Sequence, residues 1–177
     1  MESPAALDSA VQAVLRRPIW HAWQGYGSHL FFECGEPRVR IGERVRGDAH
    51  LFGTPVQRRD GSITSDAQIL IELAAWSLFA GELEIVHSES SREEIRAGQK
   101  WICGQHLVAL TRQGTNLVTL QFDLGARLEL RPPDDQQPDD ELLSLVHGER
   151  VTSLRTNGSV TVRPLPDSEL DAPHSPE

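Results

Sequence analysis

The chain has 177 residues, 38% of them hydrophobic, and carries 26 acidic against 17 basic side chains, a net charge of −9. That length suits one domain, or two small lobes sharing a core, and no apolar run approaches the ~20 residues of a membrane-spanning helix. Asp134, Asp135, Asp139, Asp140 and Glu141, with Asp167, Glu169, Asp171 and Glu177, fall in two segments free of Lys and Arg; the remainder balances 17 to 17 and holds no basic nucleic-acid footprint.

The first residues lack the basic start and apolar stretch of a signal peptide, so a cytoplasmic location is expected. Leu7, Val11, Val14 and Leu15 recur at helical spacing, predicting a helix over residues 4–17 that Pro18 stops. Ile19–Trp23 reads as a strand. Gly25-Tyr26-Gly27-Ser28 turns into Leu30-Phe31-Phe32-Glu33-Cys34-Gly35, followed by Arg38-Val39-Arg40-Ile41. A matching pattern, Leu120-Gln121-Phe122-Asp123-Leu124-Gly125 followed by Arg127-Leu128-Glu129-Leu130, occurs later. Both read as hairpins with a glycine free to take positive φ. Between them, residues 42–67 are the least regular stretch, with Asp60-Gly61 as a hairpin turn. Leu70–Phe79 and Leu83–His87 read as strands joined at Ala80-Gly81. Ser90–Glu94 holds Ser-x-x-Glu in two registers, the start signal of a short helix ending near Gly98.

A strand at 106–112 and a turn at Gln113–Asn116 lead into the second copy. Pro132–Asp140 is a solvated loop and Leu142–Val146 a strand. Val151–Arg155 and Val160–Arg163 flank Asn157-Gly158, a type I′ hairpin signal. Residues 164–177, with four prolines and no periodicity, read as a disordered acidic tail. The fold class is therefore α+β, mostly β: antiparallel hairpins in one domain over 1–163, built from related halves at about 18–88 and 101–163.

No strong chemical signature accompanies this architecture. His21 and His29 lie on flanking strands, but no His-x-His, His-x-x-x-His or Cys-x-x-Cys occurs, and neither a metal nor a cofactor is predicted. Cys34, in phase with Leu30 and Phe32, and Cys103 read as free structural thiols. Glu33 and Asp123 sit at matching repeat positions and could work as acid and base; a carboxylate before a hairpin glycine more often binds turn amides. The paired aspartates lack the alternating pattern of a calcium loop. No P-loop or Gly-x-Ser-x-Gly element is present, and no catalytic residue is assigned.

Five aromatics, Trp20, Trp23, Tyr26, Phe31 and Phe32, fall within thirteen residues. Trp20 and Phe32 read as core. Trp23 and Phe31 are out of phase, leaving two readings open: the sheet is covered on both faces, for instance by helix 4–17, or these rings stand exposed as interface anchors.

Trp20-x-x-Trp23, then Gly25-Tyr26-Gly27-Ser28 and Leu30–Gly35, resembles a family of small β-rich bacterial proteins, a domain of unknown function. Its pattern runs Trp, Gly-x-Gly-Ser, then a Leu/Phe-rich strand ending Glu-Phe-Gly. Trp76-Ser77-Leu78, Ser88–Ile95, Gly104–Leu107 and Leu120–Gly125 extend the resemblance over about residues 15–163, with Cys34 where an aromatic is usual. The resemblance implies no activity; in style these proteins are similar to immunity proteins and accessory factors of bacterial conflict systems.

The expected function is thus a non-catalytic module binding another protein, with Trp23, Tyr26, Phe31, Asp134, Asp135, Asp139 and Asp140 as the interface. No nucleic-acid or membrane partner is expected. The alternatives are an enzyme or small-ligand binder using Glu33, Asp123 and neighbouring histidines in a cleft between the halves, and a structural homodimer formed through an open sheet edge.

Overall fold

The computed structural model describes residues 4–51, 54–134, 137 and 139–165, with backbone alone for residues 4, 40 and 42–62. Strands are numbered in chain order. Six of them, β1 (Ile19–Gln24), β2 (Leu30–Cys34), β5 (Ala67–Ile71), β11 (Glu141–His147), β12 (Arg150–Arg155) and β13 (Val160–Pro164), lie side by side in that order. A second sheet runs β7 (Leu83–His87), β6 (Ala75–Ala80), β10 (Ala126–Arg131), β9 (Leu117–Phe122), β8 (Leu107–Gln113). β3 (Arg38–Leu51) and β4 (Thr54–Thr64) pair with each other as a separate ribbon. Every strand pairing is antiparallel. This is a mostly-β α+β fold.

Period-two burial builds the core. Leu30, Phe32 and Cys34 on β2 and Ala67, Ile69 and Ile71 on β5 are all buried, as are Leu120 and Phe122 on β9 and Leu128 and Leu130 on β10. Helix α1 (Pro4–Val14) packs along β11, β12 and β13 and sends Leu7, Val11 and Val14 into that core. Helix α2 (Arg92–Gln99) packs on β1 and β7. Its start is the predicted capping box: Glu94 N–H donates to Ser91 Oγ at 3.3 Å, and Ser91 N–H to Glu94 Oε2 at 2.9 Å.

The strand orders reveal how the halves relate. β1-β2-β5-β11-β12 in one sheet corresponds step by step to β8-β9-β10-β6-β7 in the other. Each half lays three strands in its own sheet and then sends the next two across to its mate's. Helix by helix and strand by strand, residues 4–34 correspond to 92–122 at a constant offset of 88. Leu7 matches Ile95 and Val14 matches Ile102, all buried. Equivalent bulges follow Ile19 on β1 and Leu107 on β8. The hydrogen bonds are reciprocal: Arg16 N–H donates to Leu107 O and Gly104 N–H to Ile19 O, while Gly35 N–H donates to Pro18 O and Asp123 N–H to His106 O. The Pro18–His106 bridge lies where the two copies meet.

This symmetry explains one strained residue. Arg16 has φ +61°, the sole positive φ outside glycine among the described residues, and its counterpart Gly104 has φ +88°. A left-handed L-residue costs about 1–2 kcal/mol, of which glycine's extra chain entropy returns part. Arg16→Gly is expected to raise stability by about 0.5–1 kcal/mol, read from the urea midpoint. A lower midpoint would mean that the arginine side chain more than repays its backbone strain.

Several expectations are corrected. The helix ends at Val14 rather than residue 17. Leu70–Phe79 is two strands: Glu72 and Leu73 N–H donate to Leu142 O and Glu141 O, and the chain then leaves for the second sheet at buried Ala74. Asp60-Gly61 is no turn; these residues sit within β4 opposite Gly42 and Ile41. Asn157-Gly158 does not form a type I′ turn, since only Gly158 takes positive φ, +81°; Arg155 N–H donates to Ser159 O and Gly158 N–H to Arg155 O, a three-residue loop closed by a left-handed glycine. Pro164 belongs to β13, and Leu165 N–H donates to Glu149 O at 2.9 Å. Residues 166–177 lie outside the described residues.

The repeat itself is offset by two residues from the motif alignment. β10 follows β9 through Asp123–Gly125, but β2's successor in the sheet is β5, not Arg38–Ile41. Gly35–Asp66, including the ribbon, occupies the place of that three-residue turn. Glu33 therefore corresponds to Gln121, not to Asp123.

Candidate functional site

On the face of β1 and β2 turned from the core, four rings form a column. The bulge after Ile19 makes Trp20 an extra residue, so Trp20 and His21 stack side by side with centroids 5.6 Å apart. His21 stacks on Trp23 at 5.0 Å, and Trp23 on Phe31, its cross-strand partner, at 5.0 Å with planes 8° apart. Trp20, Trp23 and Phe31 are half-buried and His21 is exposed. Trp20 is thus a surface ring, not the core residue its phase suggests. Trp23 and Phe31 are neither bare nor buried under α1. They cover each other, and the ring of Phe31 fills the space where a Cβ on Gly25 would be. Tyr26, at the β1–β2 turn, is 94% exposed.

Beside the column lies Glu33, 1% exposed, opposite His21 on β1 and Gln68 on β5. Gln68 Nε2 donates to Glu33 Oε1 at 2.9 Å and the Ser65 hydroxyl to Oε2. Burial pushes the Glu33 carboxyl up, and the Ser65 and Gln68 hydrogen bonds and the charge of His21 restrain the rise. One residue on, burial and then the Glu33 charge push the Cys34 thiol up to about 12, which leaves no thiolate for nucleophilic chemistry. Cys103 is exposed, free, and also raised by desolvation.

The root of the ribbon is clamped next to this pair. Arg17 donates to Asp66, Arg38 lies 4.0 Å from the same Asp66 oxygen, and His147 Nε2 is 3.3 Å from the Arg17 guanidinium. Burial raises the Asp66 carboxyl, but the Arg17 hydrogen bond and charge outweigh it and hold Asp66 below its ordinary value. Trp20 Nε1, Gln24 Oε1 and Asp66 Oδ1 are buried without a hydrogen-bond partner among the described residues.

A carboxyl whose folded-state pKa lies above its unfolded value favours folding at low pH, and that contribution is lost as pH rises through the raised value. Glu33 is such a group. Glu33→Gln, the residue found at the equivalent position 121, is expected to gain up to about 1 kcal/mol at neutral pH and nothing at pH near 4. Urea unfolding at both pH values checks this; a loss that is larger at neutral pH than near pH 4 would mean the carboxylate is held charged and well paired.

The expected acidic interface is not assembled with the aromatics. Asp139 accepts from Asn157 Nδ2 at 3.2 Å and lies 3.6 Å from Arg155, and Asp140 accepts from Gln137 N–H at 3.0 Å. Both are tied to the β12–β13 end, about four interstrand steps or ~19 Å across the sheet from β1. Asp134 is exposed and Asp135 lies outside the described residues. Nor are Glu33 and Asp123 placed alike: Glu33 is buried, whereas Asp123 is exposed, accepts from His106 N–H and pairs with its ring, both at 2.8 Å.

Phase reasoning found Trp23 and Phe31 but missed Trp20, His21, Ser65 and Gln68. The bulge that turns Trp20 outward has no sequence mark, and Ser65 and Gln68 approach Glu33 only through sheet pairing. It also missed a second polar cluster, where buried Ser144 bonds Glu72 at 2.6 Å, Ser153 at 2.9 Å and Glu141 at 3.2 Å. Among the described residues no three His, Cys, Asp or Glu side chains are grouped to hold a metal, and no helix is long and apolar enough to cross a membrane. No protein-family model, curated protein or solved structure matches the chain.

Proposed function

We propose that the protein is a non-catalytic module that binds another protein through the aromatic column on β1 and β2 and the exposed Tyr26, serving in a bacterium as an immunity or defence-associated accessory protein. The observation that carries this reading is an asymmetry. The positions equivalent to Trp20, His21, Trp23 and Phe31 are Val108, Ala109, Thr111 and Thr119, so the fold closes in its second half with no rings there. A feature the architecture does not need, carried on the surface, is better accounted for by recognition. Stacked rings are already ordered, so they lose little freedom on binding. The bacterial setting and the defence role rest on the sequence resemblance alone.

The test substitutes what the second half already tolerates. Tagged wild type is compared with Trp23→Thr, Phe31→Thr in pull-down from bacterial lysate, with near-UV circular dichroism as the fold control. One stoichiometric partner, reduced at least tenfold by the variant (about 1.4 kcal/mol or more of binding energy), is the expected result. A partner held equally by both proteins, or no partner for wild type, would remove the proposal.

A further inference from the structure

We infer that the groove between α1 and the edge of β8 receives a short extended segment of another protein as an added strand. The site lies on β8 rather than β1, and the inference stands independently of the aromatic column. The groove measures about 610 Å³. Leu7, Val11 and Leu15, along and just past α1, form one wall, and Val108 and Leu110 of β8 the other.

The internal symmetry marks this opening as a departure. In the first half α2 packs on β1, Ile19 N–H donates to Gln105 O at 2.9 Å, and the Cys103 sulfur meets the main chain of Ala22. That edge is closed. At the offset of 88 the corresponding parts are α1, β8, Leu15 and Leu110. α1 leans instead on β11, β12 and β13, and the side chain of Leu15 has no polar atom to offer Leu110. Val108, where β1 carries Trp20, is 44% exposed.

The main chain dictates the occupant. β8 pairs with β9 alone, so its other edge is open. On β1, Gly25 N–H donates to His29 O, and antiparallel alternation then turns the N–H and C=O of Ala22 and Gln24 away from β2. Their counterparts on β8 are Leu110 and Arg112, and nothing among the described residues bonds those outward groups. Two donor–acceptor sets about 7 Å apart match an extended backbone. A residue in a packed sheet takes roughly 160 Å³, from its ~3.4 Å rise, ~4.8 Å strand spacing and ~10 Å sheet spacing, so the groove holds about four.

The walls choose the side chains. Leu7, Val11 and Leu15 favour apolar residues at alternate positions of the segment. Asp8 is exposed on the α1 wall, and the Arg112 guanidinium is drawn off to Gly158 O at 3.2 Å. On a chain of net −9, the remaining positions favour Lys or Arg. Two nearer occupants fit worse. Residues 166–177 hold four acids, no Lys or Arg and three prolines, the wrong charge and poor strand composition. A second copy would have to present its own β8, which its own α1 flanks in the same way.

Panning a random heptapeptide phage library on the full chain tests this, followed by fluorescence titration of the best synthetic peptide. The expected winner alternates apolar residues, is net positive and binds with Kd on the order of 10 µM. At saturation the amides of Leu110 and Arg112 should exchange about tenfold more slowly by NMR, and those of Ala22 and Gln24 no differently. Asp8→Lys alters an exposed helix position and should weaken binding about tenfold. Arg112→Pro removes an outward N–H, a change edge strands tolerate, and should abolish binding. A library without an enriched sequence, an acidic winner, or a peptide that binds without protecting Leu110 and Arg112 overturns the inference. Displacement of the peptide by a synthetic copy of residues 166–177 would overturn it in favour of the chain's own end. Self-association in sedimentation that the peptide dissolves would overturn it in favour of a second copy.

Discussion

Gly98→Ala should lower stability by about 2 kcal/mol, although alanine is the better helix former by about 1 kcal/mol. Gly98 faces inward from α2, and a Cβ there would overlap Cγ1 of Val86 and lie 3.2 Å from its Cβ and 3.7 Å from Leu78 Cδ2. Val86 and Leu78 are 4% and 2% exposed, on strands paired to each other, so neither has room to give. Overlap with a close-packed β-branched side chain costs about 1–3 kcal/mol on its own account and outweighs the propensity gain. The double variant Gly98→Ala, Val86→Ala should recover part of the loss, because the second substitution opens the space the first one needs. Urea unfolding of the four proteins of this cycle decides the matter. A stabilised single variant, as helix propensity alone predicts, would mean that α2 does not seat against β7 in this way.

The same helix shows why the internal repeat was legible only approximately. Aligning Leu30–Gly35 with Leu120–Gly125 matches glycine to glycine, and a strand slipped by two keeps every side chain on its own face. Period-two patterning therefore cannot detect such an error. A helix does detect it, since a slip of two rotates the apolar stripe by roughly 200°. Setting Leu7 against Ile95 and Val14 against Ile102 fixes the offset at 88. The exchanged strands were invisible for a different reason. Glu72–Ala74 carries no turn residue, and nothing local distinguishes a strand that continues from one that steps to the facing sheet.

Legibility at the candidate site followed the same division. Trp23 and Phe31 were found because their phase disagreed with that of Leu30 and Phe32, a property read along one strand. The burial of Glu33 depends on Ser65 and Gln68, more than thirty residues away and beyond the ribbon. A carboxylate on the polar phase of a strand reads as solvated until its neighbours in the sheet are known. The charge of the ribbon segment was hidden by averaging, since the total merges +3 over Arg38–Thr64 with −12 over the rest of the sequence.

If the ribbon is an insertion into a turn, the turn can be restored. Replacing Gly35–Asp66 with Asp-Leu-Gly, the sequence of residues 123–125, and adding Glu33→Gln is expected to yield a folded protein within about 2 kcal/mol of wild type. Closing a loop of 3 rather than 32 residues saves about 2 kcal/mol of chain entropy. Against this stand the lost Ser65 hydrogen bond and the Asp66–Arg17 pair. Arg17 keeps a quarter of its side chain in contact with water and can be solvated when its partner goes, so that pair contributes little. Glu33 cannot be solvated so readily. Without Ser65 it loses a hydrogen bond that restrains its raised pKa, and the graft retaining Glu33 should be markedly less stable at pH 7 than at pH 5. The added glutamine removes that difference, as Gln121 does in the other half. Near-UV circular dichroism and urea unfolding at both pH values read the outcome. A graft that loses its near-UV signal would make the 32 residues part of the core and end the argument from symmetry.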